Sequence, residues 1–172
     1  MKEILKEMYA HGMEMQKIAE TKNAGLIAFN GALLIATFKF IDSKPANVYF
    51  GYYLYFSLFF CIISIFLNLS STVAQLKHKE LEIENHNSHN LLYFGTVANK
   101  TPEDLLEAIR NKYQIKELST EYFKDLAKQS IIVSQIALRK FKFFNAAFIF
   151  TICAIATPLS AVVFLLFYNP NK

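Results

Sequence analysis

The chain has 172 residues, enough for one domain or one compact membrane module; 53% are hydrophobic, with 17 Phe and no Trp. Mean hydropathy is positive at +0.24, which is more apolar surface than a soluble domain of this size hides and a load that a bilayer accepts. The formal charge is +4, and the charged residues avoid three long windows, whereas a nucleic-acid binder would carry a basic stripe on a soluble face.

Residues 1–22 read as an amphipathic helix. Ile4, Leu5, Met8, Tyr9, Met15 and Ile18 make one apolar face, with Lys2, Glu3, Glu7, Glu14 and Lys17 on the others. Acidic residues match basic ones here, which favours packing on other helices of the same protein over a helix lying in the membrane interface. Lys and Glu recur throughout this stretch, unlike a secretory signal peptide.

The first span is predicted from about Asn23 to Ile41. About 19 residues at 1.5 Å each give roughly 28 Å, close to the hydrocarbon thickness. Lys39 snorkels outward near its far end, and Asp42-Ser43-Lys44-Pro45 forms a turn. The second span runs to about Leu69 and opens on an aromatic belt of Tyr49, Phe50, Tyr52, Tyr53 and Tyr55. Residues 23–69 thus form an antiparallel transmembrane hairpin.

Residues 70–142 form a hydrophilic insert with nine of the 14 acidic and eleven of the 18 basic residues. A helix is expected to continue through Val73, Leu76, Leu81 and Ile83, and to stop in the polar cluster Asn85 to Asn90. Gly95 marks a turn. Thr101 as N-cap, Pro102 at the first helical position, and Glu103 and Asp104 in the first turn announce a helix to about Tyr113. Ser119 or Thr120 opens the last helix. Its transmembrane part runs from about Phe143 to Tyr168 as one span bent at Pro158, and residues 169–172 are a tail. The expected fold is therefore all-α: an integral membrane protein with three transmembrane helices and long helices reaching into a cytosolic insert. The Lys and Arg bias puts the N-terminus and insert in the cytosol and the C-terminus outside.

Several features point toward function. Ala24, Ala28, Ala32 and Ala36 recur every four residues, flanked by Gly25 and Gly31, and Asn30 lies in the same span. Small residues let membrane helices approach closely, and an amide in hydrocarbon needs a partner. The face serves packing inside the three-helix module or assembly with further copies, and the sequence leaves both open. Asn145, Thr151, Thr157 and Ser160 in the third span either bond back to their own helix or line a pore. Cys61 and Cys153, both in apolar runs, read as small hydrophobes. His86 and His89 form an H-x-x-H near His78, but no Cys lies in the insert, and zinc needs three or four ligands, so no metal is expected. Catalytic signatures and phosphate-cradling glycine loops are missing, so the expectation is not an enzyme.

Several stretches together resemble the membrane effectors of Pycsar, a bacterial antiphage system (the PycTM family). They are Glu20-Thr21-Lys22-Asn23-Ala24-Gly25 leading into Leu26 to Leu34, then Asn90-Leu91-Leu92-Tyr93-Phe94-Gly95 before Thr101-Pro102-Glu103-Asp104. Asp125-Leu126-Ala127-Lys128-Gln129 and Arg139-Lys140-Phe141-Lys142 follow ahead of the last span. The order of two spans, insert and third span also matches, over about residues 10–165. The resemblance implies a multi-pass effector of the bacterial inner membrane. A partner cyclase that senses phage makes a cyclic nucleotide, cyclic UMP or cyclic CMP, and the effector then impairs the membrane. No cyclic-nucleotide-binding β-barrel is recognisable, so the site must be built from the helical insert, between protomers of a homo-oligomer. A nucleotide needs an aromatic for its base and a cation for its phosphate. Tyr93 and Phe94 are candidates for the first, and Lys100, Arg110, Lys112 and Arg139 for the second. Packing of the insert and positive-inside anchoring are the plainer roles for Tyr93, Phe94 and Arg139. Two other readings stand beside the gated effector: a constitutive, holin-like pore former restrained by a partner, and a structural membrane adaptor. Lipid is a partner in all three, and nucleic acid in none.

Overall fold

The computed structural model describes residues 1–43, 48–72, 90–116 and 120–167, and these are organised as helices without a strand. In chain order they are α1 (Lys2–Asp42), α2 (Val48–Thr72), α3 (Phe94–Val97), α4 (Pro102–Tyr113) and α5 (Glu121–Phe167). The helix expected through Val73, Leu76, Leu81 and Ile83, the H-x-x-H, the Lys44-Pro45 turn and Ser119 lie outside the described residues. The chain divides into two compact units, one of Met1–Thr21 with Ala74–Phe141, the other of Lys22–Val73 with Lys142–Lys172.

The first unit, here the aqueous unit, is built like a soluble domain. Leu5 and Met8 of α1, Leu91, Val97, Leu105, Leu106 and Ile109 around α4, and Ala127 and Ile131 of α5 share one buried apolar cluster. α4 is amphipathic because its apolar residues fall three and four apart. Its start follows the sequence expectation: the Thr101 hydroxyl accepts from Asp104 N at 3.2 Å, and Pro102 stands at the first helical position. Gln114, left-handed at φ 54°, closes it with its N–H on the Arg110 carbonyl. α1 and α5 approach closely at Gly12, where a Cβ would stand 3.1 Å from Val133 Cγ1. Nearby, the Ser130 hydroxyl lies 3.2 Å from the Leu5 carbonyl.

Two expectations change here. Gly95 is no turn: it sits inside the single turn of α3, buried. A Cβ there would fall 2.5 Å from the Tyr93 ring, so the glycine makes room for that aromatic. The helix of residues 1–22 does not end before the first span but runs on as α1 to Asp42, since no proline interrupts it.

The second unit holds the apolar windows of α1, α2 and α5, the three helices long and apolar enough to cross a membrane. Apart from Leu26 and Leu54, its buried residues are polar or small. The buried residues of α2 are Leu54, Ser57, Cys61, Ser64, Asn68 and Ser71, at alternating spacings of three and four, the rhythm of a helix seam. Asn23, Leu26, Asn30 and Thr37 of α1 and Ala147, Thr151, Ala154 and Ala161 of α5 are buried likewise. Large residues such as Phe29, Phe38, Phe59, Phe66, Ile149 and Phe164 are exposed. Lipid tails are as apolar as leucine, so a membrane bundle gains little by hiding large apolar groups; close packing and hydrogen bonds hold it instead.

Pro158 lies within α5 without ending it. Proline removes the hydrogen bond to the carbonyl four residues back, here that of Ala154. The Ser57 hydroxyl of α2 donates to that carbonyl at 2.6 Å, replacing the bond that Pro158 takes away.

Candidate functional site

Layers of polar residues cross the membrane unit. In the middle layer the Asn30 amide donates to Ser64 Oγ and to Thr151 Oγ1, each at 2.9 Å. Thr151 Oγ1 stands 3.1 Å from Asn30 Oδ1, and Ser64 donates to the Ala147 carbonyl at 2.8 Å. One asparagine thus ties all three helices, as an amide in hydrocarbon requires. Seven residues away on both helices, the Asn23 amide donates to Ser71 Oγ at 2.9 Å. Asn68 donates to the Ser64 carbonyl at 3.0 Å. The amide oxygens of Asn23 and Asn68 are buried and meet no donor. Such an orphan costs about 1–3 kcal/mol. Thr157 and Ser160 bond back to carbonyls of their own helix, at 2.6 and 2.7 Å, and Asn145 is exposed.

The small-residue face lies elsewhere on α1. Ala24, Ala28, Ala32 and Ala36 are all exposed, Gly31 is half-buried, and the packed residues are Asn23, Leu26, Asn30 and Thr37. A Cβ on Gly25 or Gly31 would meet nothing within 4 Å. Reading the sequence for small residues found this face but missed the α2 seam. Its signal was there: small or polar residues at 57, 61, 64, 68 and 71 between aromatics.

The candidates for a nucleotide site all belong to the aqueous unit, and they fall into separate groups. The Tyr93 and Phe94 rings stand 4.9 Å apart, and Phe94 meets Phe141 at 5.8 Å. Gln135 donates to the Ala98 carbonyl at 3.1 Å, so α5 holds α3 on both sides of the position of Arg139. Lys100 precedes α4, whereas Arg110 and Lys112 lie in its last turn, about 12 Å of helix further on. Lys112 Nζ sits 5.9 Å from the Tyr113 ring centre. Arg110 Nε is buried and meets no acceptor. An open groove of about 420 Å³ lies against Glu7, Met8, Ala10, His11, Glu14 and Leu92, and the six candidates are not among those residues. Among the described residues no group of three His, Cys, Asp or Glu stands where it would hold a metal.

On the water side, Lys140 of α5 hydrogen-bonds Glu20 of α1. That bond, then one from the Gln16 amide, holds the Glu20 carboxyl below its ordinary value.

Three membrane-length helices around a polar seam, joined to a water-type helical core, define an integral membrane protein of the helical-bundle class. The chain belongs to the Pycsar effector family: the family model PycTM, the Pycsar effector protein domain, matches residues 4–167. It is thus an effector of antiphage defence, in a family not known as catalytic. No curated protein matches the chain, and no solved structure does.

Proposed function

We propose that this protein is an inner-membrane effector that assembles with further copies of itself and impairs the membrane when a cyclic nucleotide binds its aqueous unit. The observation that carries the reading is the exposed face of Ala24, Ala28, Ala32 and Ala36. The protomer packs through other residues of α1, and the other exposed positions of that helix's membrane part include large groups such as Phe29, Ile35 and Phe38. A small-residue strip at a spacing of four suits close helix–helix approach between copies. Family membership supports a trigger of the cyclic UMP or cyclic CMP type, made by a partner cyclase. The buried, unpaired Nε of Arg110 is the cation best suited to meet a phosphate. α1 and α5 each carry residues of both units in one unbroken helix. A ligand that prefers one arrangement of the aqueous unit thereby shifts the population of the whole chain. The N-terminus and insert face the cytosol, where the messenger is made.

The test is membrane depolarisation in cells expressing the chain with and without an active cyclase. Depolarisation should require the cyclase and should be lost in Ala28→Leu and Ala32→Leu, with the protein still inserted. Depolarisation without any cyclase favours a constitutive pore former. None under either condition, with a stable partner on the insert, favours an adaptor.

A further inference from the structure

We infer that the membrane unit binds a water molecule between Asn23, Asn68 and Ser71, at the end of the bundle marked by Lys22 and Lys142. Two layers of similar composition differ on α2, where Asn68 stands one heptad from Cys61, and on α5. In the Asn30 layer, Asn30 Oδ1 meets Thr151 Oγ1 at 3.1 Å and the Cys61 thiol at 3.9 Å. One heptad back on α5 from Thr151 the residue is Phe144, which has no proton to give. Asn23 Oδ1 is therefore left without a donor, in a side chain only 1% exposed, and Asn68 Oδ1 is orphaned in one that is 0% exposed. Turning the Asn23 amide over does not remove the problem. It lets Ser71 donate to the oxygen but orphans the NH2 instead.

The three groups are close enough to share one small molecule. Asn68 and Ser71 are three residues apart on one face of α2, about 5–6 Å between Cβ atoms. Asn23 is bonded to Ser71. Two hydrogen bonds of about 2.8 Å each span such a gap, and two to four polar partners are what a buried water requires. The chemistry selects a neutral donor. Along α1 the carboxylate nearest Asn23 is Glu20, three residues away, and it already hydrogen-bonds Lys140; Asp42 is 19 residues off, roughly 28 Å, so a cation's charge would go uncompensated. The bundle is thus wet at its Lys22 end and dry at Asn30. Helices part at least loss where water already stands in for interhelical bonds.

The experiment is water-edited solid-state NMR on the full-length protein in lipid bilayers, with side-chain amides assigned. Magnetisation should pass from water to the side-chain amides of Asn23 and Asn68 and not to that of Asn30. In Asn68→Leu the transfer to Asn23 should be lost, because the leucine fills the shared site. Asn23 and Asn68 as dry as Asn30, or all three equally wet, overturns the inference, as does undiminished transfer to Asn23 in folded Asn68→Leu. The wild-type spectrum decides alone if that variant does not fold.

Discussion

Leu5, Leu105 and Ile109 fill the centre of one unit, and Ser57, Ser64 and Asn68 the centre of the other; all six are fully buried. The same two helices, α1 and α5, contribute to both cores. Each core takes in what its solvent holds badly. Water drives large apolar groups together, so the aqueous unit is leucine-centred. Lipid leaves the large groups outside and makes unsatisfied polar atoms expensive, so the membrane unit turns its hydroxyls and amides inward. The two cores should therefore fail in different ways. The aqueous core fails when a residue becomes smaller. The membrane core fails when a hydrogen bond goes missing, even where little volume is lost.

The largest effect is expected for Leu105→Ala, with Leu105 at 0% exposure in the shared cluster. Emptying that space should cost about 2–5 kcal/mol. Faster hydrogen exchange of α4 amides and a lower melting temperature of the detergent-solubilised chain would show it. A cost under about 1 kcal/mol would mean that the core collapses around the gap and does not depend on Leu105 to fill its centre.

Next comes Ser57→Ala, which removes one oxygen. It leaves the Ala154 carbonyl with neither Ser57 nor a backbone N–H, because position 158 is proline. The expected loss is about 1–3 kcal/mol. Pro158→Ala returns the N–H, so in that background Ser57→Ala should cost close to nothing. This double-mutant cycle, read from melting temperatures, separates the carbonyl's need from ordinary packing. Equal costs in both backgrounds would remove Ser57 from the account of how α5 tolerates its proline.

The three spans were legible because hydropathy is a sum over neighbours in sequence. The Thr101 start was legible because a cap is made within four residues. Asn30 was legible as an amide needing a partner, but Ser64 and Thr151 were not, being 34 and 121 residues away. Which side of α1 packs was not legible either. Alanines suit a close helix contact inside the protomer and one between copies equally well, and the sequence gives no sign of which is made. Gly95 misled because glycine serves turns and tight contacts alike, and the neighbour that decides is the Tyr93 ring. The change of composition near residue 22 marks a change of solvent and not of backbone, so α1 passes through it unbroken.

The Thr101 cap gives a smaller effect, confined to the aqueous unit. Thr101→Ala removes the acceptor for Asp104 N and should cost about 1 kcal/mol, with exchange rising first in the opening turn of α4. Thr101→Asn, another good cap, should restore most of it. If both variants behave alike, the hydroxyl's bond at 3.2 Å is not what starts the helix.

The smallest effect is at Glu20, which faces water. The Lys140 hydrogen bond, then that from Gln16, lowers its carboxyl below the ordinary 4.5. A carboxyl depressed in the folded state stabilises the fold above its unfolded value and loses that contribution as pH falls through the lower, folded value. Glu20→Gln should therefore lower the melting temperature slightly at pH 7, and wild type and variant should converge below pH 4.5. The Glu20 side chain is 49% exposed, so water and salt screen the pair, and the difference should stay under about 1 kcal/mol and shrink further in high salt. An unscreened cost that survives acid and salt would put Glu20 in the packing of α1 on α5 and blur the contrast between the cores. A small, titrating cost keeps charge at the edge of the aqueous unit, while apolar volume holds its centre and interhelical hydrogen bonds hold the membrane bundle.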